Sequence, residues 1–408
     1  MRKRSLSIVP RALLLAALAA TGVTLVSCGG GGGGSVADVD HARLVADGQQ
    51  IFRQDTFGDE IFWTDTLRMH EVIQSSVSPR TALTVGLKVD ADALPQAVKD
   101  GISNGTVNLD DPATTVTLIK LNAVVGVKGQ VDSVNGVDRL TRVGITCALC
   151  HSTVDNSFTS GIGKRLDGWP NRDLDPGLVI SLSPALTPTQ KAIYASWGKG
   201  KYDPRFNIDG LSKPTVIPPA YGLQDIHKIT YTGDGDEIAY WNRYVAVTQM
   251  GGQGSFTEPR LNISIKNGTQ DLVSSKLPAL QAYQLSLPSP AAPAGSFDAT
   301  AAARGRLLFE GKARCASCHT GGTFTDANLR LHPPADSMAE PEVPSYAARS
   351  ATKLYRTSPL RGAWQHAPYF HDGSAATLDA VVGIYNTRMT LGLTAQEIAD
   401  VAQYVKSL

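Results

Sequence analysis

The sequence predicts a mainly α-helical protein built as two tandem units, the first enlarged by an insertion. Three observations predict it. The pentapeptide Cys147-Ala148-Leu149-Cys150-His151 returns as Cys315-Ala316-Ser317-Cys318-His319. A Gly-x-x-x-Phe segment precedes each copy, at Gly48–Phe52 and Gly305–Phe309, and a Tyr-x-x-Asp-Gly segment follows each, at Tyr231–Gly235 and Tyr369–Gly373. The segments at the two ends of the chain carry apolar residues at helical spacing. Self-similarity in a fixed order marks repeated structural units.

Cys-x-x-Cys-His is the attachment signature of c-type haem. Two thiols add across the haem vinyl groups, and the following His reaches the iron from one face. The residues therefore imply two covalently bound haem c groups, held by Cys147, Cys150, Cys315 and Cys318. His151 and His319 would be the proximal iron ligands. A zinc ribbon brings its Cys pairs within roughly 15–20 residues of each other, whereas these pairs begin at 147 and 315. A thioredoxin-like Cys-x-x-Cys needs no His and no second copy. Two disulfides without haem remain the alternative.

Residues 1–28 read as a targeting segment. Arg2, Lys3 and Arg4 precede an apolar stretch from Leu13 to Val26, too short for a spanning helix. Leu25-Val26-Ser27-Cys28 resembles a bacterial lipoprotein cleavage box, which makes Cys28 the lipidated N-terminus and the membrane a partner through that anchor. The other four cysteines all belong to the pentapeptides. An ordinary signal peptide with an incidental Cys is the competing reading. The expected location is a periplasm-facing membrane lipoprotein of a Gram-negative bacterium, and the absence of Asp after Cys28 favours the outer membrane. Basic and acidic residues balance, 38 against 37, so nothing points to nucleic acid.

Residues 29–35 form a glycine-rich tether, and an N-terminal haem unit follows over 36–286. Its first helix is expected from Asp38 to about Gln54. Gly48 lies far ahead of its pentapeptide, while Gly305 lies close to its own, which implies an insertion over about 55–140. Within it, Leu83–Val89 alternates like a strand, and Asp111-Pro112 opens a helix to about Leu121. The Pro/Ala-rich run 287–296 is the linker. The C-terminal unit, 297–408, begins with Asp298 capping a helix over 299–310. It ends with a capping box at Thr394 and Glu397. Gly305 and Phe309 should meet that last helix near Tyr404 in the clasp of a cytochrome c domain.

The stretch from Ser358 through Phe370-His371-Asp372-Gly373 to Tyr385 resembles the C-terminal haem domain of bacterial dihaem cytochrome c peroxidases. Their relatives include the methylamine-utilisation dihaem enzyme and the dihaem rubber oxygenases. The segment 276–288 is similar to that family's interdomain segment. The resemblance implies an N-terminal haem with an open face for peroxide or oxygen, and a six-coordinate C-terminal haem that passes electrons. A small redox protein or a quinol-linked donor would supply those electrons.

The sequence departs from the family pattern at three places. Gly233 stands where peroxidases carry a Trp, and Gln253 falls where they carry an acid/base Glu. No His lies between His151 and His227. Gln253 can hydrogen-bond but cannot transfer a proton as an acid, so Glu237 and Glu258 become the substitute catalytic candidates. For the C-terminal haem, the position of the peroxidase Met falls on Tyr385, with Met389 as the alternative distal ligand. Met69, His70 and Met250 are further distal candidates for the first haem. The expected function is a peroxidase-like dihaem oxidoreductase. A pure electron-transfer cytochrome with both irons six-coordinate is the alternative.

Overall fold

The structure, a computed structural model, describes residues 36–338 and 344–408. The signal segment with Cys28 and the tether 29–35 lie outside the described residues. Seven helices position the sites: α1 (Val36–Gln54), α2 (Pro112–Lys120), α3 (Ile238–Tyr244), α4 (Leu277–Ser286), α5 (Ala299–Glu310), α6 (Leu378–Arg388) and α7 (Ala395–Ser407). Strands among the described residues pair only two by two. The longest pairs are the antiparallel hairpins β1 (Val127–Val134) with β2 (Val137–Ile145), and β3 (Gly254–Glu258) with β4 (Ile263–Asn267).

Helix starts follow local chemistry. Asp111 accepts from the Ala113 N–H at 2.9 Å ahead of Pro112 at the first position of α2. Asp298 accepts from the Thr300 and Ala301 N–H groups at the start of α5. At α7, Thr394 Oγ1 accepts from the Glu397 N–H while the Glu397 carboxylate accepts from the Thr394 N–H. Each side-chain oxygen satisfies donors that the first helical turn leaves unpaired.

Two helix pairs cross in the same way. α1 packs on α4, and a Cβ on Gly48 would stand 1.9 Å from the Ala279 carbonyl oxygen. α5 packs on α7, and a Cβ on Gly305 would stand 1.9 Å from the Asp400 carbonyl oxygen. One turn on, Phe52 meets Tyr283 edge-on at 5.5 Å, and Phe309 meets Tyr404 edge-on at 5.2 Å. A glycine lets the backbones touch, and an aromatic pair fills the seam beside the contact. The expected partnership of Gly305, Phe309 and Tyr404 is present. α4 is the matching partner of α1, so the segment at 276–288 closes the first helix pair.

The insertion forms a core of its own. α2 buries Val116, Leu118 and Ile119 against Leu140 and Val143 of the first hairpin, with Trp63 and Met69 alongside. β2 continues to Ile145, past residue 140, and ends two residues before Cys147. The same core takes in Leu149, Leu174 and Ile180. Gly126, at φ +77°, lets the start of the hairpin touch the Leu149 backbone, where a Cβ would lie 2.1 Å from its nitrogen. The insertion is therefore built onto the first pentapeptide.

The strand expected over Leu83–Val89 does not form. Ser78 caps a short helix, Pro79–Thr84, whose first residue is the proline. Gly86, at φ +87°, then turns the chain, and only Val89–Asp90 is extended, paired in parallel with Ile162–Gly163. The local cap and proline override the alternating pattern. No helix among the described residues is long and apolar enough to cross a membrane.

Gly305→Ala should destabilise the protein by about 1–3 kcal/mol through forced separation of α5 and α7. Gly383→Ala, in α6 with nothing within 4 Å of the added carbon, should instead stabilise by about 0.5–1 kcal/mol. Denaturant unfolding of the two variants measures both; a neutral Gly305→Ala would refute the close-contact account.

Candidate functional site

Thr146 leads into the first pentapeptide, which coils as one helical turn with Leu149 N–H on the Thr146 carbonyl and His151 N–H on the Cys147 carbonyl. Cys147 and Cys150 are not bridged. Burial pushes both thiols up to about 12, so they are neutral and poor thiolate nucleophiles. His151 Nδ1 lies 3.1 Å from the Pro218 carbonyl oxygen. The imidazole donates there, which leaves the lone pair on Nε2. Burial pulls the ring down to about 4, so it is neutral at physiological pH.

The Asp167 carboxylate ties this turn to the helix pair. It accepts from Ser152 Oγ at 2.7 Å, Arg53 Nε at 2.5 Å and the Tyr283 hydroxyl at 2.6 Å. Those three groups stand directly after the pentapeptide, on α1 and on α4. One buried carboxylate with three donors thus fixes where His151 sits relative to the crossing.

The second pentapeptide opens with a 3-10 turn, Cys315–Ser317. Its thiols are also unbridged, and burial pushes Cys315 up to about 11. His319 Nδ1 lies 3.1 Å from the Phe324 carbonyl oxygen, and burial again lowers the ring. Tyr385, on α6, is raised by burial and by coupling to the Cys315 and Cys318 thiols. Its ring lies 6.4 Å from Phe370. Met389 stands just past the end of α6 as its cap.

Each pentapeptide therefore offers an unbridged thiol pair and a neutral imidazole whose tautomer is set by a backbone carbonyl. That donor set fits covalent haem c and not a disulfide.

The other candidates lie apart. Glu258 accepts from both Arg260 side-chain donors, at 2.8 and 2.6 Å, and from the Tyr240 hydroxyl at 2.8 Å. The Arg260 guanidinium holds its carboxyl down to about 2. Glu237 is at the start of α3 and accepts from Gln281 Nε2 at 3.3 Å. Gln253 braces a turn: its N–H donates to the Phe57 carbonyl, and its side chain fills the space beside Gly58 and Gly268. Met69 and Met250 are enclosed in separate apolar cores. His70 lies in the helical segment Met69–Ser76. His371 stacks between Tyr346 and Tyr355, each 5.3 Å away, and His366 Nε2 lies 2.8 Å from the Tyr221 hydroxyl. Trp169 meets Trp364 edge-on at 5.7 Å, across the two halves of the chain.

One residue escaped the sequence reading. Asp59 is fully buried, its carboxyl accepting from the Ile145 N–H at 3.2 Å, two residues before Cys147. Burial, with Glu60 close by, pushes it up to about 9, and its field reaches Cys147. The sequence hint was the acidic group Asp55, Asp59 and Glu60 among apolar residues. Its enclosure depends on β2, which only the fold reveals.

Comparison with known proteins finds likenesses over parts of the chain. A family model described as RoxA-like, cytochrome c-like matches residues 354–391. The cytochrome-c peroxidase IdrP1 of Denitromonas iodatirespirans is 31% identical over a stretch covering 26% of this chain and 40% of that protein. The methylamine utilization protein MauG of Methylorubrum extorquens is 38% identical over 21% of this chain and 24% of its own length. The chain thus spans less than half the length of either relative. A solved variant of the diheme peroxidase BthA from Burkholderia thailandensis aligns over 65% of this chain and 81% of its own, at 16% identity and a TM-score of 0.34. Over the stretches matched in sequence, the chain is similar to the cytochrome-c peroxidase IdrP1 and to MauG.

Proposed function

We propose that this is a dihaem c-type cytochrome of two tandem haem units, catalysing a peroxidase-like redox reaction at the N-terminal haem with electrons routed through the C-terminal one. The observation that carries the reading is the repeated site: two unbridged thiol pairs, each followed by a half-buried imidazole held by a backbone carbonyl. Haem bound there supplies the redox-active iron. The protein's part is to fix the ring orientation, exclude water and hold protons.

An asymmetry supports different roles for the two sites. Tyr385, whose phenol couples to Cys315 and Cys318, would be the distal ligand in preference to Met389. On the N-terminal side, Tyr202 couples to Cys150, but its hydroxyl already donates to Gln249 Oε1 at 2.9 Å. Iron held by His151 would then keep an open face, and iron held by His319 a closed one. Asp59 is the group that can hold a proton beside the first pentapeptide, in place of the carboxylic acid that Gln253 cannot provide. Cys28 would anchor the protein to a membrane facing the periplasm, with a small redox protein or a quinol-linked donor as partner. A second reading, a pure electron carrier, draws support from Glu258 and Gln253, both of which are engaged in structural contacts.

Cys147→Ala and Cys315→Ala should each remove one of two covalent haems, read by haem-stained gels and mass spectrometry. Retention of two haems by either variant would refute the attachment sites. Low-temperature EPR of the oxidised and half-reduced protein separates the two readings. A high-spin ferric signal perturbed by azide supports the enzyme, and two unchanged low-spin signals support the carrier.

Asp59 carries a pH prediction. A carboxyl whose folded pKa is raised is stabilised in its protonated form, so its contribution is full below about 4 and is lost as pH rises towards about 9. Asp59→Asn should flatten the stability profile across that window and remove a protonated-carboxyl infrared band at pH 7. An unchanged band at pH 7 would show that Asp59 is ionised.

A further inference from the structure

Two half-buried arginines between the halves of the chain carry enclosed donor atoms that are left over. Arg172 follows Asn171, whose N–H donates to the Cys150 carbonyl at 2.9 Å. Its Nη2 donates to the His366 carbonyl at 3.0 Å, while Nε and Nη1 are buried with no hydrogen-bond partner. Arg356 lies two residues before Ser358, whose backbone bonds the His319 ring. Its N–H donates to the Tyr231 carbonyl and its Nη1 to the Lys228 carbonyl at 2.8 Å, yet its Nε is buried and unpartnered.

Neither guanidinium forms an ion pair among the described residues. Arg172 couples to the phenols of Tyr231, Tyr221 and Tyr369 and to the rings of His151 and His366, and Arg356 couples to Tyr231; none of these is a carboxylate. Burial lowers Arg172 and brings Arg356 down to about 10. Enclosing guanidinium donors without an anion is unfavourable. The three vacant N–H donors mark where that anion belongs. Arg donors match a carboxylate in charge and geometry.

Each arginine is tied by backbone contacts to a different pentapeptide, Arg172 to the first through Asn171 and Arg356 to the second through Ser358. A haem carries two propionate carboxylates on the edge away from its vinyl attachments. We infer that Arg172 binds a propionate of the haem on Cys147 and Cys150, and that Arg356 binds a propionate of the haem on Cys315 and Cys318. The Tyr231 phenol couples to both cations. This inference rests on the dihaem reading above and adds the residues that neutralise the haem carboxylates.

A crystal structure of the haem-loaded protein tests it directly. Carboxylate oxygens on Arg172 Nε or Nη1 and on Arg356 Nε are expected. Two haems with their propionates on other residues would overturn this inference alone. A protein without haem would overturn the functional reading and this inference with it. Spectroelectrochemical titration gives a second readout. Removing a buried positive charge beside a haem disfavours the added electron. Arg172→Gln should shift the reduced-to-oxidised ratio of the first haem about tenfold towards oxidised at fixed potential, equivalent to about 59 mV for one electron. Arg172→Lys, which keeps the charge, should recover most of that shift. An unshifted ratio in a fully loaded Arg172→Gln protein would count against the assignment. If that variant fails to load haem, the wild-type crystal structure decides.

Discussion

The contact of a helix backbone with a glycine is the constraint on which both halves of the molecule depend. At Gly48 and at Gly305 a carbonyl from the partner helix occupies the space where any other residue would place its Cβ. That approach sets the distance between the helices, and the distance sets where Phe52 and Phe309 fall. In the first half, Asp167 then transmits the position of the crossing to the pentapeptide, since it holds α1, α4 and Ser152 at once. The imidazole of His151 is oriented at the end of this chain of contacts by a carbonyl far away in sequence. Geometry at the candidate iron site is thus inherited from packing some distance from it.

The two halves reach the same arrangement with different supporting parts. Asp400 supplies the carbonyl at the second crossing and also takes both donors of Arg304. The first crossing uses Ala279 for the carbonyl and leaves charge pairing to Arg53 and Asp167. Buried ions also join the halves. Arg349 donates to Asp203 and Asp209, and the Ala351 N–H caps Asp234, itself paired with Arg205. Breaking one partner of such a network leaves an unpaired charge indoors, so it fixes the relative placement of the halves more strongly than its net energy suggests.

Much of this was legible in the sequence where the signal is local. The pentapeptides state their chemistry in five residues, and the caps at Asp111, Asp298 and Thr394 act within one turn. The Gly-x-x-x-Phe segments predicted one crossing fully, because Tyr404 lies in a clearly amphipathic terminal helix. For the first crossing the partner helix was visible only as a segment of family resemblance, since α4 is buried on several sides and shows little periodicity. Leu83–Val89 misled because alternation over a few residues is weak against Ser78-Pro79 just upstream. What could not be read were the partners distant in sequence: Pro218 for His151, β2 over Asp59, and the enclosure of Arg172 and Arg356. Burial is a property of the assembled fold, and no short window of sequence reports it.

The separation of the crossing partners along the chain has a bearing on how the molecule is made. The first helix pair joins groups 234 residues apart and the second joins groups 96 apart. The added loop-closure entropy is small, about 0.8 kcal/mol. In time the difference is large, because α1 must wait for most of the chain to be synthesised before its partner exists. Its apolar face, with Phe52, stays uncovered through that interval, whereas α5 finds α7 within a short terminal stretch. The first half is therefore the part most dependent on being kept unaggregated until α4 has been made.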